Sequence, residues 1–319
     1  MKNTWSVDVI IPVYQPGKEF LQLLQRLDQQ TQKPDRVFLV NTEKSYWDLF
    51  AEKAGDSLSP LLSDASLWHI TKDEFDHAGS RNDAASRSQA DLLLFMTMDA
   101  LPADKKLIEN LVASFEDKKV AVAYARQLAK KGATQLEKMT RAFNYPEEGR
   151  IKSEADLESL GIKTYFCSDV CAMYRRDIFE QLGGFEEPAV FNEDMIYVAA
   201  AMKAGYKVCY SADAKVYHSH NYGGRQQFHR NFDIGASQVM HPEVFGQLSS
   251  EKEGVKMLKG QARQLFVTGH GLEIFSLFYL NACKYLGYFL GKRYAKLPRG
   301  LVLRCTGNRA FWNRIYERQ

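Results

Sequence analysis

At 319 residues, with 45% apolar and 25% charged side chains, the chain has the composition of an ordinary globular protein, long enough for one large domain or a main domain with an appendage. The net charge of +3 is unevenly spread: from Lys284 onward there are nine Lys/Arg and one acidic residue, Glu317, whereas the first 283 residues carry 33 basic and 38 acidic groups. An acidic main body without a nucleic-acid motif argues against nucleic acid as partner, and five cysteines without framework spacing argue against a disulfide-stapled secreted scaffold.

"MKNTWSVDVIIPVY" has one lysine and no long apolar segment ending in small residues, so no secretory signal is expected. "VDVIIPVY" predicts a buried strand, and Phe20, Leu23, Leu24 and Leu27 at i, i+3, i+4 and i+7 predict an amphipathic helix after it. "RVFLVNT", "LWHIT" and "DLLLFMTMD" predict three more strands, with a helix through "SRNDAASRSQA" before the last. Strands alternating with helices imply an α/β fold, its mostly parallel sheet covered on both faces and its ligands beyond the carboxyl ends of the strands. Tyr14, Asn41, Thr42, Asp73 and Asp99 would then share one rim.

Beyond "VAVAYARQL", the polar stretch 130–163 is expected to be a mobile loop with short helices. "VCAMYRRDIFEQLGGF" reads as a strand, a helix and a Gly-Gly stop, "EDMIYVAAAMKAGY" as a helix closed by Gly205, and "KVCYSADAKVYHSH" as two short strands around a turn. Leu272 to Leu290 predicts a helix rich in Phe, Tyr and Leu, interrupted by Glu273, Asn281 and Lys284 and therefore interfacial rather than spanning. The basic residues after it interleave with Leu, Val, Phe and Trp, a pattern suited to an anionic membrane surface. A helical hairpin packed on the core with a solvated basic face, or a homodimer contact, would use the same residues.

Four groups could carry chemistry. Asp99 ends a strongly apolar run; it either caps a helix beginning near Ala103 or anchors a cation, since Mg²⁺ takes one or two protein carboxylates and fills its shell with water and substrate phosphates. Glu193 and Asp194, adjacent at a helix start, either favour the helix dipole or furnish a general base. His218 and His220 share a face if the chain is extended and could join Asp99 around a cation, whereas Cys167-x-x-x-Cys171 on a strand is a poor zinc clip. Arg81 in "HAGSRN" is a fixed cation suited to phosphate or a base carbonyl, or simply the start of a surface helix.

Taken together, "VDVIIPVYQP", "GSRNDAASRSQADLLLFMTMDALP", "GGF" and "ED" resemble, in order and spacing over about residues 6–222, the inverting family-two glycosyltransferases of the GT-A fold. "FDHAGSRN", "TMDALP", "HSHNY", "FDIG" and the end "GYFLGKRYAKLPRGL" further resemble bacterial rhamnosyltransferases of cell-wall and capsular polysaccharides. The resemblance implies a catalytic domain over 1–225, with a donor half to about 128 and an acceptor half from about 129, followed by a helical, basic, amphipathic region at 226–319. It implies Pro12, Val13, Tyr14, Asn41, Thr42, Arg81, Asn82, Met98 and Asp99 at the nucleotide sugar, and Asp99, His218 and His220 at Mg²⁺ or Mn²⁺. Asp194 would be the base, with Glu193 beside it toward the acceptor; the donor would be dTDP-L-rhamnose and the acceptor a lipid-linked glycan. The enzyme would sit on the cytoplasmic face of the plasma membrane, held by its basic end.

Two features depart from the family pattern. Asp-x-Asp is replaced by Thr97-Met98-Asp99, which leaves one carboxylate for the metal, and the second strand ends in Asn41 and Thr42 where aspartates are usual. Rival readings are a UDP-hexose or UDP-N-acetylhexosamine transferase of the same fold and a catalytically silent glycan-binding subunit, the latter disfavoured by Glu193 and Asp194. A dinucleotide-binding oxidoreductase is disfavoured by "PVYQPGKEF" where a Gly-x-Gly-x-x-Gly turn would stand.

Overall fold

The computed structural model describes residues 5–246, 248 and 250–317. The apolar first strand, β1 (Val7–Tyr14), is followed by α1 (Lys18–Asp28), which buries Phe20, Leu23, Leu24 and Leu27 as their spacing predicts. Each such side chain taken out of water contributes about 1.5–3 kcal/mol. Then come β2 (Arg36–Thr42), α2 (Lys44–Ala54), β3 (Ala65–Ile70), α3 (Gly79–Ser86) and β4 (Leu92–Met96), giving parallel strands in the order β3-β2-β1-β4. Val9, Ile11 and Val13 of β1 join Phe20, Trp47 and Phe50 on one face, while Ile10 joins Phe38, Val40 and Phe95 on the other. Both faces are covered, so these strands read as unbroken apolar runs.

β4 stops three residues short of Asp99. The chain turns, Ala100 N donating to Thr97 O at 3.1 Å, and enters β5 (Leu101–Pro102); α4 (Leu107–Ala113) begins too far on for Asp99 to cap it. The capping alternative for Asp99 is thereby removed.

β6 (Val120–Leu128) leads into the stretch expected to be a mobile loop, which is built instead from α5 (Gln135–Asn144), β7 (Arg150–Lys152) and α6 (Leu157–Leu160). The Thr134 hydroxyl accepts from Glu137 N and caps α5, whose Leu136 and Met139 pack against Leu265 and Leu277 from far along the chain. β8 (Cys171–Arg175) runs antiparallel between β4 and β6, and α7 (Arg176–Gln181) ends at Gly183–Gly184. Here Asn82 donates to Phe185 O and accepts from Phe185 N, at 2.7 and 2.9 Å. A side chain at Gly184, whose φ is +74°, would strike that amide.

α8 (Glu193–Lys203) precedes β9 (Lys207–Tyr217), a single strand where two around a turn were expected. The presumed turn is a bulge: pairing with β6 passes from Ala125–Ser211 to Arg126–Lys215, and Asn110 Nδ2 donates to the extruded Asp213 carbonyl at 2.9 Å. The completed sheet runs β3-β2-β1-β4-β8-β6-β9-β5, with β7 on β9.

The remainder is helical: α9 (Gly224–Met240), α10 (Pro242–Phe245), α11 (Ser250–Val267), α12 (Glu273–Gly291), α13 (Arg299–Cys305) and α14 (Arg309–Glu317). α12 lies directly on α9, because Gly287 and Gly291 leave no Cβ to collide with the carbonyls of Phe228 and Phe232. α13 and α14 pack on the core, as in the helical-hairpin alternative. Val302 and Trp312 are fully buried beside Phe232, and Arg314 reaches Asp76 Oδ2 at 3.2 Å. The "FDIG" segment directs this docking: Asp233 accepts from Thr306 Oγ1 and Gly307 N at 2.6 and 2.8 Å.

Among the described residues no helix is long and apolar enough to cross a membrane. The outer side of α12 and the end of α11 are nevertheless apolar and open, with Phe266, Val267, Leu272 and Phe275 between 75% and 85% exposed.

Candidate active site

Asp99, from the turn after β4, meets His218 and His220, from the extended segment after β9. His220 Nε2 and His218 Nε2 lie 3.1 and 3.5 Å from Asp99 Oδ2 and 3.0 Å from each other. The three ligand atoms fall within 4.8 Å of one another. Gln127 at the end of β6 orients the pair. Its Oε1 receives an Arg141 guanidinium hydrogen, so it must be the amide oxygen, and at 2.9 Å it then accepts from Nδ1 of His218. That leaves the Nε2 lone pair of His218 aimed at Asp99 and His220. Burial pulls His218 down to about 3 and keeps it neutral. At Asp99 burial is the largest single influence and opposes ionisation, but the hydrogen bonds from His220 and Thr97 and the charges of the two histidines together outweigh it, and the carboxyl sits well below the usual range. An ionised carboxylate and a neutral imidazole with its far nitrogen held by an amide suit a divalent cation, so the residues fit the group the sequence implied.

The second cluster lies at the start of α8, where Asn192 adopts φ +64° and turns the chain so that Asp194 faces the same space. Asp194 Oδ2 accepts from Asp169 N at 3.3 Å and Oδ1 from Met195 N at 2.7 Å. Arg81, expected at the donor, is instead buried beneath these acids: its guanidinium donates to Glu193 Oε1 and to His77 O at 3.2 and 2.7 Å and lies 3.9 Å from Asp169 Oδ2. Burial, then the charges of Asp169 and Glu193, push Asp194 well above the ordinary carboxylate value. Asp169 is itself raised to about 7, by burial and Glu193 against the opposing charge of Arg81.

Asp99, His218, His220 and Asp194 all line one cavity of about 550 Å³. Arg141 and Arg230 line it too, with the Arg230 guanidinium 4.5 Å from the Phe191 ring centre. A carboxyl of raised pKa, of the kind a general base requires, and three side chains of the kind that can hold a cation therefore share one open space.

The remaining expected contacts are more scattered. Val13 is in the core, so only its backbone could meet a ligand; Pro12 is half-buried beside it. Asn82 is committed to Phe185 as described, a structural duty in place of the expected donor contact. Met98 Sδ lies 3.4 Å from Tyr14 N and accepts from it. Asn41 and Thr42 are buried at the end of β2; the Asn41 amide donates to Glu43 O at 3.1 Å, yet Asn41 Oδ1 and Thr42 Oγ1 have no partner. Tyr14 is exposed edge-on to Tyr46, and the Lys72 ammonium lies 5.6 and 5.5 Å from the two ring centres.

Sequence reasoning missed Gln127, Asp169, Tyr46, Lys72 and Arg230. Only Asp169 carried a signal, a lone acid before an apolar strand, and that signal is common.

Residues 8–183 match the model of glycosyl transferase family 2. Over 317 residues, 97% of each chain, the protein is 36% identical to the O-antigen chain rhamnosyltransferase RfbN of Salmonella typhimurium. Over 315 residues, 97% of this chain and 96% of the relative, it is 34% identical to the O-antigen chain rhamnosyltransferase WbaN of Salmonella anatum. Among solved structures, the mannosyltransferase PcManGT from Pyrobaculum calidifontis, in complex with GDP-Man and Mn²⁺, superposes with a TM-score of 0.58 at 16% identity. The match covers 91% of this chain and 89% of that one and is a likeness of fold.

Proposed function

The chain belongs to glycosyl transferase family 2 and is a glycosyltransferase, and we propose that it moves L-rhamnose, with inversion, from dTDP-L-rhamnose to a hydroxyl of a lipid-linked polysaccharide precursor. The carrying observation is the single cavity in which Asp194 shares space with the Asp99, His218 and His220 cluster. Rhamnose as the sugar is supported by end-to-end similarity to two proteins named as rhamnosyltransferases.

In this reading an acceptor hydroxyl lies against Asp194. Its oxygen attacks the anomeric carbon as its proton passes to the carboxylate, and the bond from that carbon to the diphosphate oxygen breaks with its electron pair leaving on the nucleotide. A single displacement inverts the centre. A divalent cation held by Asp99, His218 and His220 would supply positive charge to the departing diphosphate; two imidazoles suit Mn²⁺ better than the oxygen-seeking Mg²⁺. Arg81 and Asp169 hold Glu193 and Asp194 in place. At the donor rim, the unpartnered acceptors Asn41 Oδ1 and Thr42 Oγ1 suit a base N–H, and Tyr14, Tyr46 and Lys72 offer a face to the nucleotide.

A donor panel of dTDP-rhamnose, UDP-glucose, UDP-galactose and UDP-N-acetylglucosamine, offered with a polyprenyl-linked acceptor extract, tests the assignment. Turnover of dTDP-rhamnose is expected; turnover of a UDP-sugar alone would keep the fold and sink the rhamnose reading.

The place of action in this reading is the cytoplasmic membrane surface. Phe266, Phe275 and Phe278 lie on a face followed by the exposed Lys292, Arg293, Lys296 and Arg299, which suits insertion at an anionic interface. A symmetric homodimer through the same face would bring those cations together. Flotation with vesicles containing phosphatidylglycerol is expected to carry the protein upward and to fail for Phe275→Ser/Phe278→Ser. Equal flotation of both proteins would overturn the membrane assignment.

A further inference from the structure

A second cavity, of about 570 Å³, adjoins the catalytic one and shares Glu137, Thr140, His220, Tyr222 and Gln227 with it. Its far wall is α12, through Glu273, Ser276 and Tyr279. A ligand leaving the catalytic cavity past Tyr222 therefore enters this one.

Its chemistry differs from its neighbour's. The catalytic cavity includes Arg141, Lys163 and Arg230, whereas among the described residues no Lys or Arg lines the second. Hydroxyls, amides and carboxylates do, from Thr134, Asn221, Gln227 and Glu273, with the tyrosine rings 222 and 279. Such a lining repels phosphate but matches a sugar, whose hydroxyls exchange hydrogen bonds with neutral and acidic groups and whose apolar faces rest on aromatic rings.

Tyr222 stacks on His220 at 4.8 Å between ring centres and 14° between planes, which ties the cavity wall to the cation cluster. Tyr279 brings its hydroxyl end against Gly224, where a Cβ would collide with it. Around α12, Glu273, Ser276 and Leu280 fall within about 60° of one another and face the cavity, Phe275 and Phe278 lie on the opposite side, and Tyr279 stands at the border between the two.

We propose that this second cavity is an acceptor subsite binding one or more uncharged sugars of the growing glycan, beyond the residue whose hydroxyl reacts. This rests on the glycan-transfer reading above. The acceptor would extend from Asp194, past Tyr222, along the inner side of α12.

The test uses the lipid-linked glycan precursor, delipidated by mild acid, as the intact oligosaccharide and as its terminal monosaccharide. In the wild type, kcat/KM is expected to be at least about 10-fold higher for the oligosaccharide. Ser276→Trp, which fills the cavity, and Tyr279→Ala, which removes its ring, are expected to bring that ratio close to one. Both positions are exposed, so the fold tolerates either change. Calorimetric titration of the oligosaccharide without donor is read alongside, and a 10-fold or greater weakening in both variants is expected. Wild-type ratios and affinities in both variants would overturn the subsite. Donor cleavage absent from every protein, wild type included, would instead sink the transferase reading; calorimetry would still decide the subsite, weakened binding supporting it and unchanged binding overturning it.

Discussion

Asp194→Asn is expected to lower the turnover of sugar transfer by about 10³-fold, within the range that a positioned general base contributes, while donor affinity and melting temperature stay near those of the wild type. The amide keeps the shape of the side chain and an oxygen for Met195 N, but it cannot take the acceptor proton. A fall of less than about tenfold would remove Asp194 from the role. The pH profile adds an independent reading. The base works only when deprotonated, and burial with the Asp169 and Glu193 charges raises its pKa, so activity should climb with pH above the ordinary carboxylate range. Asp169→Asn removes one of those charges and keeps the backbone N–H that binds Asp194, so the rising limb should move to lower pH. Because Asp194 feels the charges of both Asp169 and Glu193, the limb belongs to the cluster rather than to a single residue.

The second large effect is expected at Asp99. Asp99→Asn should lower turnover by about 100-fold or more, EDTA should bring the wild type to a similar level, and added Mn²⁺ should restore the wild type alone. Full wild-type activity in EDTA would show that the cluster acts without a cation. Gln127→Leu probes the orientation of His218: loss of the acceptor for Nδ1–H should weaken Mn²⁺ binding by about 10–100-fold without altering the ligand set. Unchanged Mn²⁺ affinity in that variant would mean that packing alone orients the ring.

Much of the first half was legible because its signals are local. β1, α1, β2, β3, α3 and β4 stand where short apolar runs and, for α1, a 3.6-residue apolar spacing place them, and the α/β architecture follows from their alternation. Asp194 and the Asp99, His218 and His220 set were also visible, since adjacent acids at a helix start and two histidines one residue apart are short-range patterns. The stretch 130–163 read as a loop because what orders it, Leu265 and Leu277 against Leu136 and Met139, lies more than a hundred residues away. Arg81 read as a phosphate contact because nothing in "HAGSRN" discloses that Glu193 and Asp169 will close over it.

By itself, then, the sequence determined the alternating architecture, the family, the pair of acids and the trio of Asp99, His218 and His220, all from residue types at short spacings. Only the tertiary structure decided that Asp99 caps no helix, that Arg81 and Asn82 bond to Glu193, His77 and Phe185 of the protein itself, that the basic end packs through Trp312, and that a second cavity opens toward α12. The physical reason is that a side chain's role depends on which partners satisfy its charge, hydrogen bonds and apolar surface, and here those partners come from segments distant along the chain.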